Sequence, residues 1–356
     1  MESVMKKSLA FRLFLRFSAL VLALALLPVC ALGEESAEAP EATVVETYPW
    51  ALGDYLLPID FTPGAVPNES GYKTAKDAAG NDVLSYEDST IKVTVSQFRF
   101  LKTIVFVADI EIADPSQLRT VSMDKGDFSQ GAKARAEQKP FIRQAVRMNA
   151  IVAINGDSTY ADEKRKHGII FRQGVHVDTK YKLDEKGKHR MDLLLIDENG
   201  DFHGIHSAQA GDLDDPSVFN GKKIFNVFSF GPILVENGEA LTDFQGADTN
   251  ERKYNGTWMD MRSRDGRTRM AIGQAGPLHY KLFTSVGNYG GHTGLTLFEL
   301  AEFIASQDVQ FAYNLDGGDS ARLIFNGKQV NPKTGDPRGL WDMIYFASAE
   351  NYEPQE

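Results

Sequence analysis

The chain has 356 residues, with 38 basic and 49 acidic side chains, a formal net charge of −11, and a single cysteine. A surface of that sign repels nucleic acid and anionic lipid at long range, and one thiol rules out an internal disulfide framework or a cluster of thiolate metal ligands. Stability must then come from a hydrophobic core, which a chain of this length can bury.

Lys6, Lys7, Arg12 and Arg16, set against Glu2 alone, precede an apolar run over residues 17–27, and small residues follow at Ala31 and Gly33. This order predicts a cleaved signal peptide over 1–33, directing the protein to secretion or the cell envelope; the apolar run is short for a membrane span. Two alternatives are an uncleaved anchor and a lipid on Cys30, the latter disfavoured because Val29 directly precedes it. Losing the segment's net +3 takes the charge from −11 to −14 and removes the cysteine. Residues 34–47, rich in Glu, Ala and Pro, read as a disordered spacer, and a single large domain is expected over 48–356.

Ile91, Val93 and Val95 alternate with Lys92 and Thr94, the pattern of a half-buried strand, and residues 104–112 supply a neighbour. Further strands are expected at 151–155, 169–172, 193–196, 227–235, 270–273, 311–315 and 343–347. Pro140 can open a helix carrying Phe141, Ala145 and Met148 on one face. A second helix should carry Leu297, Leu300, Ala301 and Ile304, with Thr296 and Glu299 spaced as a capping box. The fold class expected is α+β: a mixed, mostly antiparallel sheet core flanked by helices.

Chemistry concentrates in loops at strand ends. Asn314-Leu315-Asp316-Gly317-Gly318-Asp319-Ser320 follows a buried strand, and its two glycines let the backbone turn sharply and approach a ligand. Asn155-Gly156-Asp157-Ser158 ends another strand with the same residue types. Each can also be read as a turn that uses Asn, Asp and Gly for geometry alone. Two such loops in one chain favour a shared pocket. Phe228-Ser229-Phe230-Gly231-Pro232 is a third, weaker candidate that could supply backbone donors.

The run Gly294-Leu295-Thr296-Leu297-Phe298-Glu299-Leu300-Ala301 leading into Asn314-Leu315-Asp316-Gly317-Gly318-Asp319-Ser320 resembles the phosphodiester glycosidase family. The resemblance extends in order through 109–119, 153–157, 168–174, 229–239, 269–273 and 338–346, and so covers residues 85–348. It departs at Asp157-Ser158-Thr159, Asp319 and Met270. What it implies is hydrolysis between a sugar's anomeric carbon and a phosphodiester oxygen, on an N-acetylglucosamine-type, cell-wall or exopolysaccharide glycan that carries phosphate. Such a cleavage needs a carboxylate for the positive character on the sugar and cations for the departing phosphate.

Asp316 is accordingly the first catalytic candidate and Asp157 the second. Arg172, Arg269 and Arg338 are candidates for phosphate binding, since a guanidinium fork can hold two oxygens. Asn155, Asn314, Ser229 and Ser320 supply hydrogen-bonding groups; Gly156, Gly231, Gly317 and Gly318 supply backbone geometry, and Asp319 belongs to the same loop. Glu299 reads as a helix cap. His167 and His292 lack zinc-site spacing, so no metal or other cofactor is expected, with calcium or magnesium on Asp316 and Asp319 as the alternative. The departures carry a second reading, a non-catalytic carbohydrate-binding or envelope-assembly module; a metal-dependent phosphodiesterase is the third.

Overall fold

The computed structural model describes residues 55–123, 141–157, 169–178, 191–208, 213, 215–242, 244, 266–332 and 340–353. The expected signal peptide and spacer, together with Pro140, Ser158, His167 and Arg338, lie outside them. The described residues all fall in one compact unit, Thr47–Glu356.

Among the described residues three antiparallel sheets make up the fold. The largest has nine strands in the order β1 (Tyr72–Lys76), β2 (Asp82–Glu87), β3 (Ile91–Phe100), β4 (Thr103–Ile112), β16 (His279–Ser285), β15 (Met270–Gly276), β19 (Phe311–Leu315), β13 (Ile233–Glu236) and β14 (Glu239–Ala240). A five-stranded sheet runs β21 (Lys328–Gln329), β20 (Leu323–Phe325), β6 (Ala150–Asn155), β22 (Asp342–Ala347) and β5 (Leu118–Ser122). The six-stranded sheet runs β10 (Phe202–Ala208), β9 (Met191–Asp197), β12 (Lys222–Phe228), β7 (Ile170–Arg172) and β8 (Val175–Asp178), with β11 (Val218–Phe219) beside β12. A short pair, β17 (Gly287–Tyr289) and β18 (His292–Thr293), stands apart.

The inner faces of the three sheets meet in one core that includes Val93, Ile110, Ile154, Leu194, Phe228, Tyr313 and Ile344. Burying each such side chain stabilises the fold by about 1.5–3 kcal/mol. β3 shows the expected alternation, with Ile91, Val93 and Val95 buried between more exposed neighbours. β9 instead reads as an unbroken apolar run because both its faces are covered: Leu194 and Ile196 enter the central core, while Leu193 and Leu195 pack with Phe171 and Val227 behind the six-stranded sheet.

The expected mostly antiparallel core is found, whereas the expectation of a mixed sheet flanked by helices holds only in part. Every pairing among the described strands is antiparallel, and the described residues contain only two α-helices, α1 (Phe141–Arg147) and α2 (Leu297–Ala305). α2 lays Leu297, Leu300, Ala301 and Ile304 against Ala271, Phe283 and Ala312 of the nine-stranded sheet. Its start is the expected capping box: the Thr296 amide donates to Glu299 Oε2 at 2.8 Å, and the Glu299 amide to Thr296 Oγ1 at 3.1 Å. α1 covers the outer face of the five-stranded sheet. The apolar run 227–235 is also divided. β12 stops at Phe228 and β13 starts at Ile233 in a different sheet, because Gly231 takes φ +72° and Pro232 has no N–H for a ladder.

Candidate active site

β6 and β19 belong to different sheets, yet both end at the same place. One side chain joins them: Asn155 Nδ2 donates to the carbonyl of Asp316 at 2.7 Å, and its Oδ1 accepts from the Arg322 amide at 3.1 Å. Asn155 is 1 % exposed. A carboxamide is suited to this because it carries a donor and an acceptor side by side. The structure therefore gives Asn155 a stitching role, rather than the open hydrogen-bonding position read from the sequence.

The glycines of the Asp316 loop have separate reasons. A Cβ on Gly317 would lie 2.5 Å from the Thr268 carbonyl, whereas Gly318 sits at φ +58° and donates its amide to that same carbonyl at 2.8 Å. Asp316 is 8 % exposed and Asn314 4 %; Asn314 Nδ2 donates to the Gly231 carbonyl at 2.7 Å, drawing the third candidate loop to the same strand end. Ser320 is fully buried, and its Oγ has no hydrogen-bond partner among the described residues. Arg269, one strand away on β15's leading edge, is 7 % exposed and donates Nε to the Leu295 carbonyl at 2.9 Å.

Behind the Asn155 loop lies a buried ionic cluster. Arg172 has no exposed surface and engages all three nitrogens: Nε donates to Asp342 at 2.9 Å, Nη2 donates to Asp157 at 2.7 Å and lies 2.8 Å from Asp342, and Nη1 donates to the carbonyls of Phe171 at 3.0 Å and of Val227. The guanidinium also stacks over Phe228, 3.9 Å from the ring centroid. A saturated arginine cannot take two phosphate oxygens, so its expected place at the phosphate is corrected: Arg172 positions carboxylates. The same contacts change the reading of Asp157, which is 3 % exposed and accepts from Arg172 and from the Ser229 amide at 3.2 Å. Ser229 in turn donates its hydroxyl to the Ile169 carbonyl, so it too is committed internally.

Asp342 was not legible as a site residue. Its carboxylate lies so close to Gly156 that a Cβ there would fall 2.5 Å from Oδ1, which explains the glycine of the Asn-Gly pair. Burial raises the Asp342 carboxyl above its ordinary value; Arg172 opposes that shift and the neighbouring Asp157 adds to it. Arg322 was missed as well. It is 8 % exposed, and burial lowers its guanidinium from the ordinary value, with Asp319 pulling the other way.

No cluster of three His, Cys, Asp or Glu side chains suited to a metal ion occurs among the described residues, and His292 only faces the Lys102 carbonyl at 3.4 Å. No described helix is long and apolar enough to cross a membrane. A groove of about 610 Å³ lies between β1 and the β20–β21 hairpin, lined by Tyr72, Phe106, Phe325 and Lys328 among others; none of the candidate loop residues borders it.

Residues 148–347, more than half of the chain, match the family model described as phosphodiester glycosidase. The chain is 29 % identical over 149 residues to mouse N-acetylglucosamine-1-phosphodiester alpha-N-acetylglucosaminidase, a match covering 38 % of this chain and 28 % of that protein. The human protein of the same name is 31 % identical over 119 residues, covering 33 % and 23 %. The match thus spans about a quarter of the length of these curated relatives. The fold is similar to that of the zebrafish enzyme's catalytic domain, solved as auto-inhibited by its pro-peptide, with a TM-score of 0.52, 19 % identity, and 78 % of this chain and 81 % of that one covered. All three stitched elements, the Asn155 strand, the Asp316 loop and the Asp342 strand, fall inside the matched segment, and the chain belongs to the phosphodiester glycosidase family.

Proposed function

We propose that this protein is an exported hydrolase that cleaves the bond between the anomeric carbon of a sugar and a phosphodiester oxygen. The observation that carries the reading is the placement of Asp316. Its loop closes a strand of the nine-stranded sheet and is fixed to the five-stranded sheet by Asn155, inside the segment that matches the family. Preorganisation of this kind holds a carboxylate where positive character develops on the sugar ring. Asp316 stabilises or traps that carbon, and the phosphate leaves without a strong general acid because it is a better leaving group than a sugar alcohol. Asp157 acts indirectly, held in the ionic cluster that fixes the Asn155 turn. The relatives' names point to N-acetylglucosamine 1-phosphodiesters as the first substrate class to try, with cell-wall and exopolysaccharide glycans next. Export is supported by the basic and apolar order of residues 1–33.

The test is incubation of the exported form with N-acetylglucosamine 1-phosphodiesters in water enriched in heavy oxygen, with and without EDTA, and mass analysis of the products. Free sugar carrying the label plus a phosphomonoester, unaffected by EDTA, is the expected result. Asp316→Asn should lower turnover on the order of a thousandfold or more with the melting curve preserved. A labelled phosphate and a sugar 1-phosphate would instead mean phosphorus–oxygen cleavage, and near-normal turnover by Asp316→Asn would remove this residue from the chemistry.

A further inference from the structure

A guanidinium presents five N–H donors, and the edge formed by Nε and Nη2 is the one that grips two oxygens of a single anion. In Arg172 that edge is spent on Asp342 and Asp157. Arg322 differs. Its Nη1 donates to the carbonyls of Asp319 at 2.6 Å and Ala321 at 3.2 Å, which fixes the side chain against its own loop. Nε and Nη2 have no hydrogen-bond acceptor, and no carboxylate forms an ion pair with them, among the described residues, although the residue is only 8 % exposed. Neither nitrogen is among the sealed polar atoms, so this edge stays open to an anion that would replace water there.

The place of this edge matters. The Arg322 amide and the Asp316 carbonyl are bonded to the two ends of one carboxamide, that of Asn155, so the backbones at 316 and 322 are separated by one side-chain amide and two hydrogen bonds. Ser320, two residues before Arg322, contributes a buried hydroxyl without a partner among the described residues. A planar fork holds two oxygens of one phosphate, and a hydroxyl is a suitable donor to a third. The negative background of the chain, and Asp319 nearby, make such a local cation necessary for an anionic substrate.

We propose that the Nε–Nη2 edge of Arg322, together with Ser320 Oγ, is the site that holds the substrate's phosphate. The assignment rests on the phosphodiester reading of the Asp316 loop. Because the phosphate gains charge as it leaves, the grip tightens along the reaction, and losing it should affect kcat as well as KM.

Two measurements test it. In the first, inorganic phosphate is titrated into the wild-type protein and into Arg322→Gln and Arg322→Lys by calorimetry. Wild type should bind, Gln should weaken binding at least about tenfold, and Lys, which keeps the charge without the fork, should restore only part. In the second, kcat/KM for an N-acetylglucosamine 1-phosphodiester is divided by that for a neutral aryl glycoside of the same sugar; Arg322→Gln should lower this ratio about thirtyfold or more. Phosphate binding unchanged by Arg322→Gln, or a ratio that stays at the wild-type value, overturns the assignment. Arg322-dependent phosphate binding in a protein that turns over no sugar phosphodiester would leave the anion site standing while the proposed activity falls. Should the Gln variant not fold, the Lys variant decides: full wild-type affinity and ratio in Lys would show that the fork is not used.

Discussion

Among the described residues two arginines are buried completely, and they are buried in opposite ways. Arg119, on β5, spreads its donors over a cage of dipoles: the carbonyls of Pro58 at 2.8 Å, Ser116 at 3.1 Å, Asp60 at 3.1 Å and Thr62 at 3.0 Å, and the Tyr345 hydroxyl at 3.1 Å. One carboxylate approaches, Asp60 at 3.2 Å, and it is 44 % exposed. Arg172 faces two carboxylates that are 3 % and 0 % exposed. The first arrangement is a staple for the strap over residues 57–62. The second encloses one cation with two potential anions, so its charge balance depends on protonation, and it stands directly behind the Asn155 turn. Equal burial thus hides two functions, which the chemistry of the partners separates.

The comparison is broken most severely by removing the cation from the anionic cluster. Arg172→Met leaves Asp157 and Asp342 buried without compensation, and urea unfolding at pH 7 should show a loss of about 3–5 kcal/mol. Arg119→Met should lose less, about 2–3 kcal/mol, because carbonyls released from the cage can rebond to water at the strap's edge. Its signature should be local: amides of residues 57–62 should exchange faster with solvent while β9 and β12 keep their protection. If Arg119→Met proves the costlier change, the dipole cage, and not the carboxylate pair, dominates.

The comparison is also sharpened through pH. The Asp342 carboxyl is raised in the folded protein, to about 7, by burial and by Asp157. A group raised in this way binds its proton more tightly when folded, so its contribution is fully present below the unfolded value near 4 and is lost as pH rises through the folded value. Asp342→Asn should therefore flatten the decline in stability between about pH 4 and 7, read from urea midpoints. An unchanged slope would place the proton elsewhere.

Much of this was legible in the sequence where information is local. The alternation at Ile91, Val93 and Val95, the Thr296–Glu299 cap and the loop at Asp316 need only neighbours a few residues away, and each lies where its pattern implies. What stayed illegible depends on register between distant strands. Asp342 is an ordinary acid at the head of β22 until Met343 pairs with Asn155, which carries Asp342 under Gly156. Arg172 looked like a phosphate ligand because the carboxylates that engage it, Asp157 and Asp342, lie 15 and 170 positions away. Arg322 drew no attention in the sequence because nothing local says which half of its fork is left unused. A charged residue opening the fully buried strand 342–347 was the one available signal for Asp342.

The Asn155 bridge also bears on how activity is lost. Because one carboxamide ties strand ends from two sheets, the Asp316 loop acquires its shape only when those sheets are docked. Site formation and sheet docking are then one cooperative event, and a form with an intact nine-stranded sheet but a detached five-stranded one would be inactive. Turnover in such a molecule reports on the seam between the sheets as directly as on the chemistry it performs.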